Sequence, residues 1–333
     1  MATIGKMIIP PKYTLTREIT QLLSEIEASR AVIDAVEIQP EIETNIRRRT
    51  TLSSSLFSAR VEGNNLTMEE LTPGSKLQKK AEVFNILKAL EWLRGREKKD
   101  LTLTDVLLLH KITMKGIHED AGKWRTESSA TFNSAGIAIY MHPPARQAQK
   151  FFMKLLKFIN SEKEPLIPVR AALAHYSLEK IHPFLDGNGR TGRLIFQKVL
   201  MQGGYGMKGL VALEEYLDNH RSEYYRALEE PEKEVTDYII FMLQALSEAS
   251  KKAVKLVLAS KENFSPEDVL LPRRSEIVKI VKDQRMITVD MLVRRFLSVN
   301  PRTLRNDVKR LVDAGFLAKL GTTRGVYYVL GKK

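Results

Sequence analysis

The sequence predicts a mainly α-helical protein with one small β-hairpin and a separate basic C-terminal module closed by two short strands. Three observations carry this. Before Ser265, apolar residues recur mostly at i, i+3 and i+4, the period of helices that bury one face. A polar, Gly-rich stretch, AGKWRTESSATFNSAGIAIYMHPPA (121–145), breaks that period and contains the β-prone run GIAIYM. The net charge is +13, and from Pro272 onward 15 Lys and Arg face only 5 Asp and Glu. Such asymmetry points to a module with a polyanionic partner, although a merely solvated basic surface has the same composition.

Taken in order, helices are expected over 16–37, 40–62, 77–96 and 103–114, with Gly63 and Asn64 suited to a helix end. The hairpin follows, closed by Pro143 and Pro144. Helices resume at 144–160, 168–181, 190–202, 220–229 and 234–260. SPEDVLLPRR (265–274) interrupts the helical run with two prolines and reads as a linker. Beyond it come helices at 273–282, 288–297 and 301–314, then two strands in FLAKLGTTRGVYYVL (316–330) around a Gly-containing turn. The domain boundaries expected are an N-terminal helical region at 1–75, a central domain at 76–264 and a C-terminal domain at 265–333.

Composition excludes several classes. The chain has no Cys, so a disulfide framework and a thiolate metal site are ruled out. No apolar run approaches the roughly 18 residues that span a bilayer. The start, MATIGKMIIPPKYTL, lacks the apolar core of a signal peptide. A cytoplasmic protein with no membrane partner is expected.

The chemistry concentrates in HPFLDGNGRTGR (182–193), a tight loop between two helices. A Gly-rich turn into a helix N-terminus leaves several N–H groups unpaired and adds the positive end of the helix dipole. Gly187 and Gly189 let an anion approach the backbone closely. Arg190 and Arg193 supply donors that fit phosphate oxygens. Asp186 would repel a bare phosphate, which makes sense if a divalent cation such as Mg²⁺ lies between them. His182 can take a proton near neutral pH. Base, metal carboxylate and phosphate cradle together suggest nucleotidyl or phosphoryl transfer. GNGRTG (187–192) also matches G-x-G-x-x-G, but an Ala-rich helix precedes it where a dinucleotide site needs a strand. A purely structural turn would not need the His and both Arg.

HPFLDGNGRTGR resembles the signature of the Fic family, with every fixed position matched, and the resemblance covers roughly residues 40–250. It implies a Fic-type helical bundle that transfers AMP from ATP, with Mg²⁺, onto a Ser, Thr or Tyr hydroxyl of a target protein. By resemblance, His182 is the general base and Asp186 the metal ligand. Gly187, Asn188, Gly189 and Arg190 form the anion hole, and Arg193 engages the γ-phosphate. Phe184 anchors the loop. A related branch with Lys at the second loop glycine acts as a kinase, and Gly189 argues against that branch. The hairpin at 131–141 resembles the family's target-docking flap, with Gly136, Ile137 and Ala138 as flap residues. Tyr224 and Tyr225 lie either near the nucleotide base or in the core. Ser58, Glu62 and Gly63, in SARVEG (58–63), resemble the family's inhibitory motif, which implies a Glu62–Arg193 pair that blocks productive ATP placement.

Residues 273–330 resemble a winged helix-turn-helix. Leu304, Val308 and Leu311 mark the buried stripe of its third helix, leaving Arg302, Arg305, Asn306 and Lys309 on polar faces as DNA contacts, with Arg324 at the wing tip. Protein docking or dimerisation, giving a homodimer, is the other reading of this module. A DNA-binding regulator with a nucleotide-sensing Fic domain, and removal of AMP from a modified protein, are the alternative functions. His175 reads as a core histidine. His110, His118, His142 and His220 show no metal-ligand spacing, and Trp92 and Trp124 read as core or flap-base residues.

Overall fold

Thr16 begins the first helix, its side-chain oxygen accepting the Ile19 N–H. The helix, α1 (Arg17–Ala35), seals Ile19, Ile26 and Ile33 completely, one stripe repeating every seven residues. This computed structural model describes residues 7–71, 77–132, 138–262, 270, 272–297, 299–321 and 325–331. The chain divides into two units. The first comprises Met1–Val36, Arg49–Leu66 and Leu77–Lys255; the second comprises Glu37–Arg48, Thr67–Lys76 and Leu256–Lys333.

Next along the chain are α2 (Pro40–Val61), α3 (Leu77–Arg94) and α4 (Leu103–Met114). A capping box between Thr102 and Asp105 starts α4. Glu62 was expected as the last residue of a helix over 40–62. It lies instead in the turn just past α2, where its N–H donates to the Ala59 carbonyl and Gly63 takes a φ of 94°. The hairpin consists of β1 (Ala130–Phe132) and β2 (Ala138–Met141), antiparallel, with Ala130 opposite Met141 and Thr131 opposite Tyr140. Its expected flap residues Gly136 and Ile137 lie outside the described residues; Ala138 begins β2.

Helices α5 (Ala145–Ile159), α6 (Ile167–Ile181) and α7 (Asn188–Gln202) follow. Nearly every residue of α6 and α7 is buried, so this antiparallel pair forms the centre of the first unit. One cation inside it is met by backbone alone: Lys198 Nζ on α7 donates to the carbonyls of Arg96, Glu97 and Lys99 at 2.8, 2.9 and 2.7 Å. Burial pushes that amine down to about 8. Then come α8 (Glu214–Asn219), α9 (Arg221–Leu228) and α10 (Thr236–Glu262), and the first unit ends within α10 at Lys255. No helical period in the sequence marks 214–219 as an element. The short α8 is closed by His220, whose ring stacks on Tyr216 at 4.0 Å and whose Nδ1 lies 2.9 Å from the Tyr216 carbonyl.

In the second unit, α11 (Pro272–Gln284), α12 (Val289–Arg295) and α13 (Pro301–Asp313) precede β3 (Leu317–Leu320) and β4 (Tyr327–Leu330). The strands are antiparallel, with Leu317 opposite Leu330. Ile277, Val281, Ile287, Leu292, Leu304, Val308, Leu311 and Leu317 form the core. Arg302, Arg305, Asn306 and Lys309 are exposed, whereas Asp307 is buried between Arg273 and Arg274. Arg324 lies outside the described residues. Among the described residues no helix is long and apolar enough to cross a membrane.

Leu304 is 0% exposed in this core. Leu304→Ala is expected to cost about 2–5 kcal/mol, read as a lowered midpoint in chemical denaturation.

Candidate active site

The loop between α6 and α7 turns abruptly because His182 caps α6 in the left-handed region, with φ 48° and ψ 62°. Gly187, with φ 82°, then starts α7, and a Cβ there would strike the Met114 sulfur. Asn188 staples the loop: its side-chain oxygen accepts the Phe184 N–H at 3.0 Å and its amide donates to the Phe184 carbonyl at 2.9 Å. What Asn188 has left to offer an anion is backbone. Phe184, fully buried, is held between two rings: His110 stacks on it at 3.7 Å and Trp124 at 5.4 Å. His110 Nδ1 accepts the Gly122 N–H, so Nε2 carries the hydrogen and donates to the Asp186 carbonyl at 2.9 Å. Burial pushes His110 down to about 4, so it is a neutral strut.

His182 Nδ1 lies 3.3 Å from the Glu179 carbonyl, which can only accept, so Nδ1 carries the hydrogen. Nε2 is therefore the unprotonated nitrogen. Burial pushes His182 down to about 4, with a further downward push from Arg125; the Glu179 carbonyl and the charges of Glu62 and Asp186 pull the other way. Arg125, 2% exposed, clamps this region: its guanidinium donates to the carbonyls of His182, Glu127 and Pro143.

Arg193 is 1% exposed and points back along α7 toward the loop. Its Nε donates to Ser58 Oγ at 2.9 Å, and its Nη2 donates to the Ser58 carbonyl at 2.8 Å and to Glu62 Oε1 at 3.0 Å. Nη1 is buried with no hydrogen-bond partner among the described residues. Glu62 Oε1 hangs directly over Gly189, where an added Cβ would collide with it, and Arg193 Nη1 lies 3.1 Å from the same point. Gly63 ends the turn that presents Glu62. Arg190 is held by Glu82 at 2.5 Å and by Asp186 at 2.8 Å. Asp186 also accepts the Gly187 N–H through the same oxygen, Oδ1, and its side chain is 46% exposed.

The two tyrosines separate. Tyr224 is buried, its hydroxyl 2.7 Å from His175 Nε2. Tyr225 is half-exposed and donates to the Val61 carbonyl at 3.1 Å, beside the Glu62 turn. Sequence reasoning missed Glu82, His110, Arg125, His142 and Glu179. Glu82 also accepts from Asn64 Nδ2, which ties the segment after Glu62 to the Arg190 cluster. No sequence motif marks these residues: Glu82, His110, Arg125 and His142 meet partners across long stretches of chain, and Glu179, four residues from His175, is set apart only by burial.

Residues 100–200 match the Fic/DOC family. They form a Fic domain. The chain is similar to the protein adenylyltransferase Fic of Drosophila willistoni, 26% identical over 209 residues, which cover 57% of this chain and 41% of that protein. The same figures hold for Drosophila melanogaster. The matched region thus spans about two fifths of the length of these curated relatives. The fold is shared with a Fic family protein from Desulfovibrio desulfuricans, at a TM-score of 0.63, 22% identity and coverage of 97% and 98% of the two chains. It is shared also with Fic-1 from C. elegans, at a TM-score of 0.61, 22% identity and 73% of each chain.

Behind the Fic loop, on α6, sits a second carboxyl. Glu179 is 16% exposed, 3.7 Å from His175 Nδ1, and among the described residues both Glu179 Oε1 and His175 Nδ1 lack a hydrogen-bond partner. Burial, then the charge of Glu62, push Glu179 up to about 8, against the pull of Arg193. The folded state therefore keeps a proton that the unfolded chain releases near its ordinary 4.5. Stability is lost as pH rises from that value toward 8. Glu179→Gln, neutral throughout, should gain on wild type by about 1–3 kcal/mol between pH 5 and 8, measured by chemical denaturation at each pH. A flat difference would mean that the carboxyl is already ionised in the fold.

Proposed function

We propose that this chain is a protein adenylyltransferase, transferring AMP from ATP to a Ser, Thr or Tyr hydroxyl of a target protein and held idle by Glu62. The observation that carries the reading is the pair formed by buried Arg193 and partly exposed Glu62 over Gly189, beside a neutral His182. An anion cradle with a carboxylate already seated in it is a nucleotide site in its blocked form. The names of the fly relatives support the same reaction class.

In the reaction, the hydroxyl oxygen of the target attacks the α-phosphorus of ATP. The bond from that phosphorus to the bridging oxygen of the β-phosphate breaks, and pyrophosphate leaves. The hydroxyl proton passes to His182 Nε2. The backbone N–H groups at the start of α7 and the guanidinium of Arg193 meet the charge on the phosphates. With Glu62 in place, Arg193 Nη2 is already satisfied and the space over Gly189 is filled.

Mg²⁺ suits Asp186. Among the described residues no group of three carboxylate or imidazole side chains forms a protein-built metal cage. Asp186 is half-exposed and makes its hydrogen bonds through one oxygen only, which fits an ion shared with substrate phosphates. When bound, the ion supplies charge that stabilises the phosphate oxygens.

The second unit reads as a DNA-binding winged helix. Arg302, Arg305, Asn306 and Lys309 are exposed at i, i+3, i+4 and i+7, one face of α13. The acid among them in sequence, Asp307, is turned inward and accepts from Arg273 at 2.6 Å and Arg274 at 2.8 Å. The outward face is thereby left cationic, as a groove-binding helix requires.

Two measurements test these readings. Label from α-labelled ATP with Mg²⁺ should enter protein with Glu62→Gly, enter little with wild type, and fall about 10²–10⁴-fold when His182→Ala is added. Label absent from all three removes AMP transfer; loss of AMP from a pre-modified protein by wild type alone would instead favour the reverse reaction. For the second unit, the full chain should bind a mixed-sequence duplex with a steep salt dependence. Arg302→Ala, Arg305→Ala and Lys309→Ala together should flatten the log–log slope by about 0.9 per lost phosphate contact. No binding at low salt would leave protein docking as the reading.

A further inference from the structure

The nearest ring to the base belongs to the other side of the site. His142 follows β2, is 7% exposed, and stacks on His182 with ring centroids 4.2 Å apart and planes 16° from parallel. We propose that His142 is a positioning residue for the reaction: it fixes the ring plane of His182, shields one face of that ring from water, and ties the base to the β1–β2 hairpin. This rests on the reading of His182 as the base.

Both nitrogens of His142 are occupied. Nδ1 lies 3.1 Å from the Lys180 carbonyl, and Nε2 lies 3.1 Å from Thr131 Oγ1. A carbonyl oxygen only accepts, so Nδ1 bears the hydrogen and Nε2 takes the hydroxyl hydrogen of Thr131. The ring is therefore neutral, in one tautomer, and held against both rotation and sliding. Burial also pushes it well down, to about 3, so it does not compete with His182 for a proton. The backbone adds a third tie, since His142 N–H donates to the Ser129 carbonyl at 3.1 Å and closes the open end of the hairpin. Lys180 stands two residues before His182 on the last turn of α6. One side chain thus bridges the hairpin and the helix that delivers the base.

The charged groups around the pair come from every neighbouring segment. Arg125 lies before the hairpin, Lys180 on α6, Glu62 in the turn after α2, and Asp186 in the loop. None of these covers the ring face that His142 covers. Stacking closes that face to water but leaves the ring edge, where the in-plane Nε2 lone pair takes its proton, uncovered by His142.

Removing the plate should let water reach His182. Its proton affinity would rise from about 4 toward the ordinary 6.5. Restoring a flat ring without nitrogens should restore the shielding but not the ties to Thr131 and Lys180.

The experiment uses the full chain carrying Glu62→Gly, alone and with His142→Ala or His142→Phe. The His182 imidazole is titrated by nitrogen-detected NMR, and kcat and KM for ATP are measured across pH. Expected are a His182 midpoint raised by about one unit or more in His142→Ala and an unchanged midpoint in His142→Phe. In both variants kcat should fall several-fold with KM for ATP unchanged. An unmoved midpoint in His142→Ala overturns the proposal. If that variant does not fold, His142→Phe decides: a kcat equal to the parent, or a midpoint that moves, overturns it. Failure of the AMP-transfer reading would show separately, as no labelling by the Glu62→Gly parent, while the titration stays readable.

Discussion

A guanidinium sealed from water must have its charge met, and Arg193 is 1% exposed. Leaving such a charge without its partner costs about 3–5 kcal/mol. That constraint organises the first unit. Ser58 satisfies Nε and shares Nη2 with Glu62, while Nη1 stays unpaired beside Gly189. Only another anion can relieve Glu62 without that cost. A triphosphate brings one. The strength of the contact therefore does not oppose exchange, provided the incoming group carries its own negative charge to the same place. A neutral ligand has no such means of entry.

The second requirement is rigidity around the loop, and aromatic rings supply it. His110, Phe184 and Trp124 form one stack, and His142 and His182 form another. Arg125 joins the two regions through backbone carbonyls of the loop and of the hairpin base. Burial keeps His110 and His142 neutral, so these struts hold their hydrogen bonds unchanged across the physiological pH range.

The loop itself was plain in the sequence because its chemistry is local: HPFLDGNGRTGR carries base, acid, cations and glycines within one turn of chain. The buried stripe Leu304, Val308 and Leu311 was equally plain, since helical period alone defines it. Glu82 and Glu179 were not. Glu82 looks like any solvated helix acid until Arg190, 108 residues away, is folded against it. Glu179 is set apart only by burial and by the nearness of Glu62 and Arg193. His142 and His110 lack metal-ligand spacing, a criterion that concerns ligation and is silent about stacking. Helix α8 escaped because its six residues are too few for a period to show.

Gly189 leaves the molecule little room to change its mind. The gap above it admits no side chain, because the Glu62 carboxylate and the Arg193 guanidinium already converge there. Acid, guanidinium and loop backbone thus share one atom-sized void. A substitution that evicts Glu62 from this side also obstructs whatever anion would follow. Glu62, in the turn after α2, can be exchanged for a smaller residue without adding an atom above Gly189. The acid and the loop it fills are separate in the chain even though they meet in space.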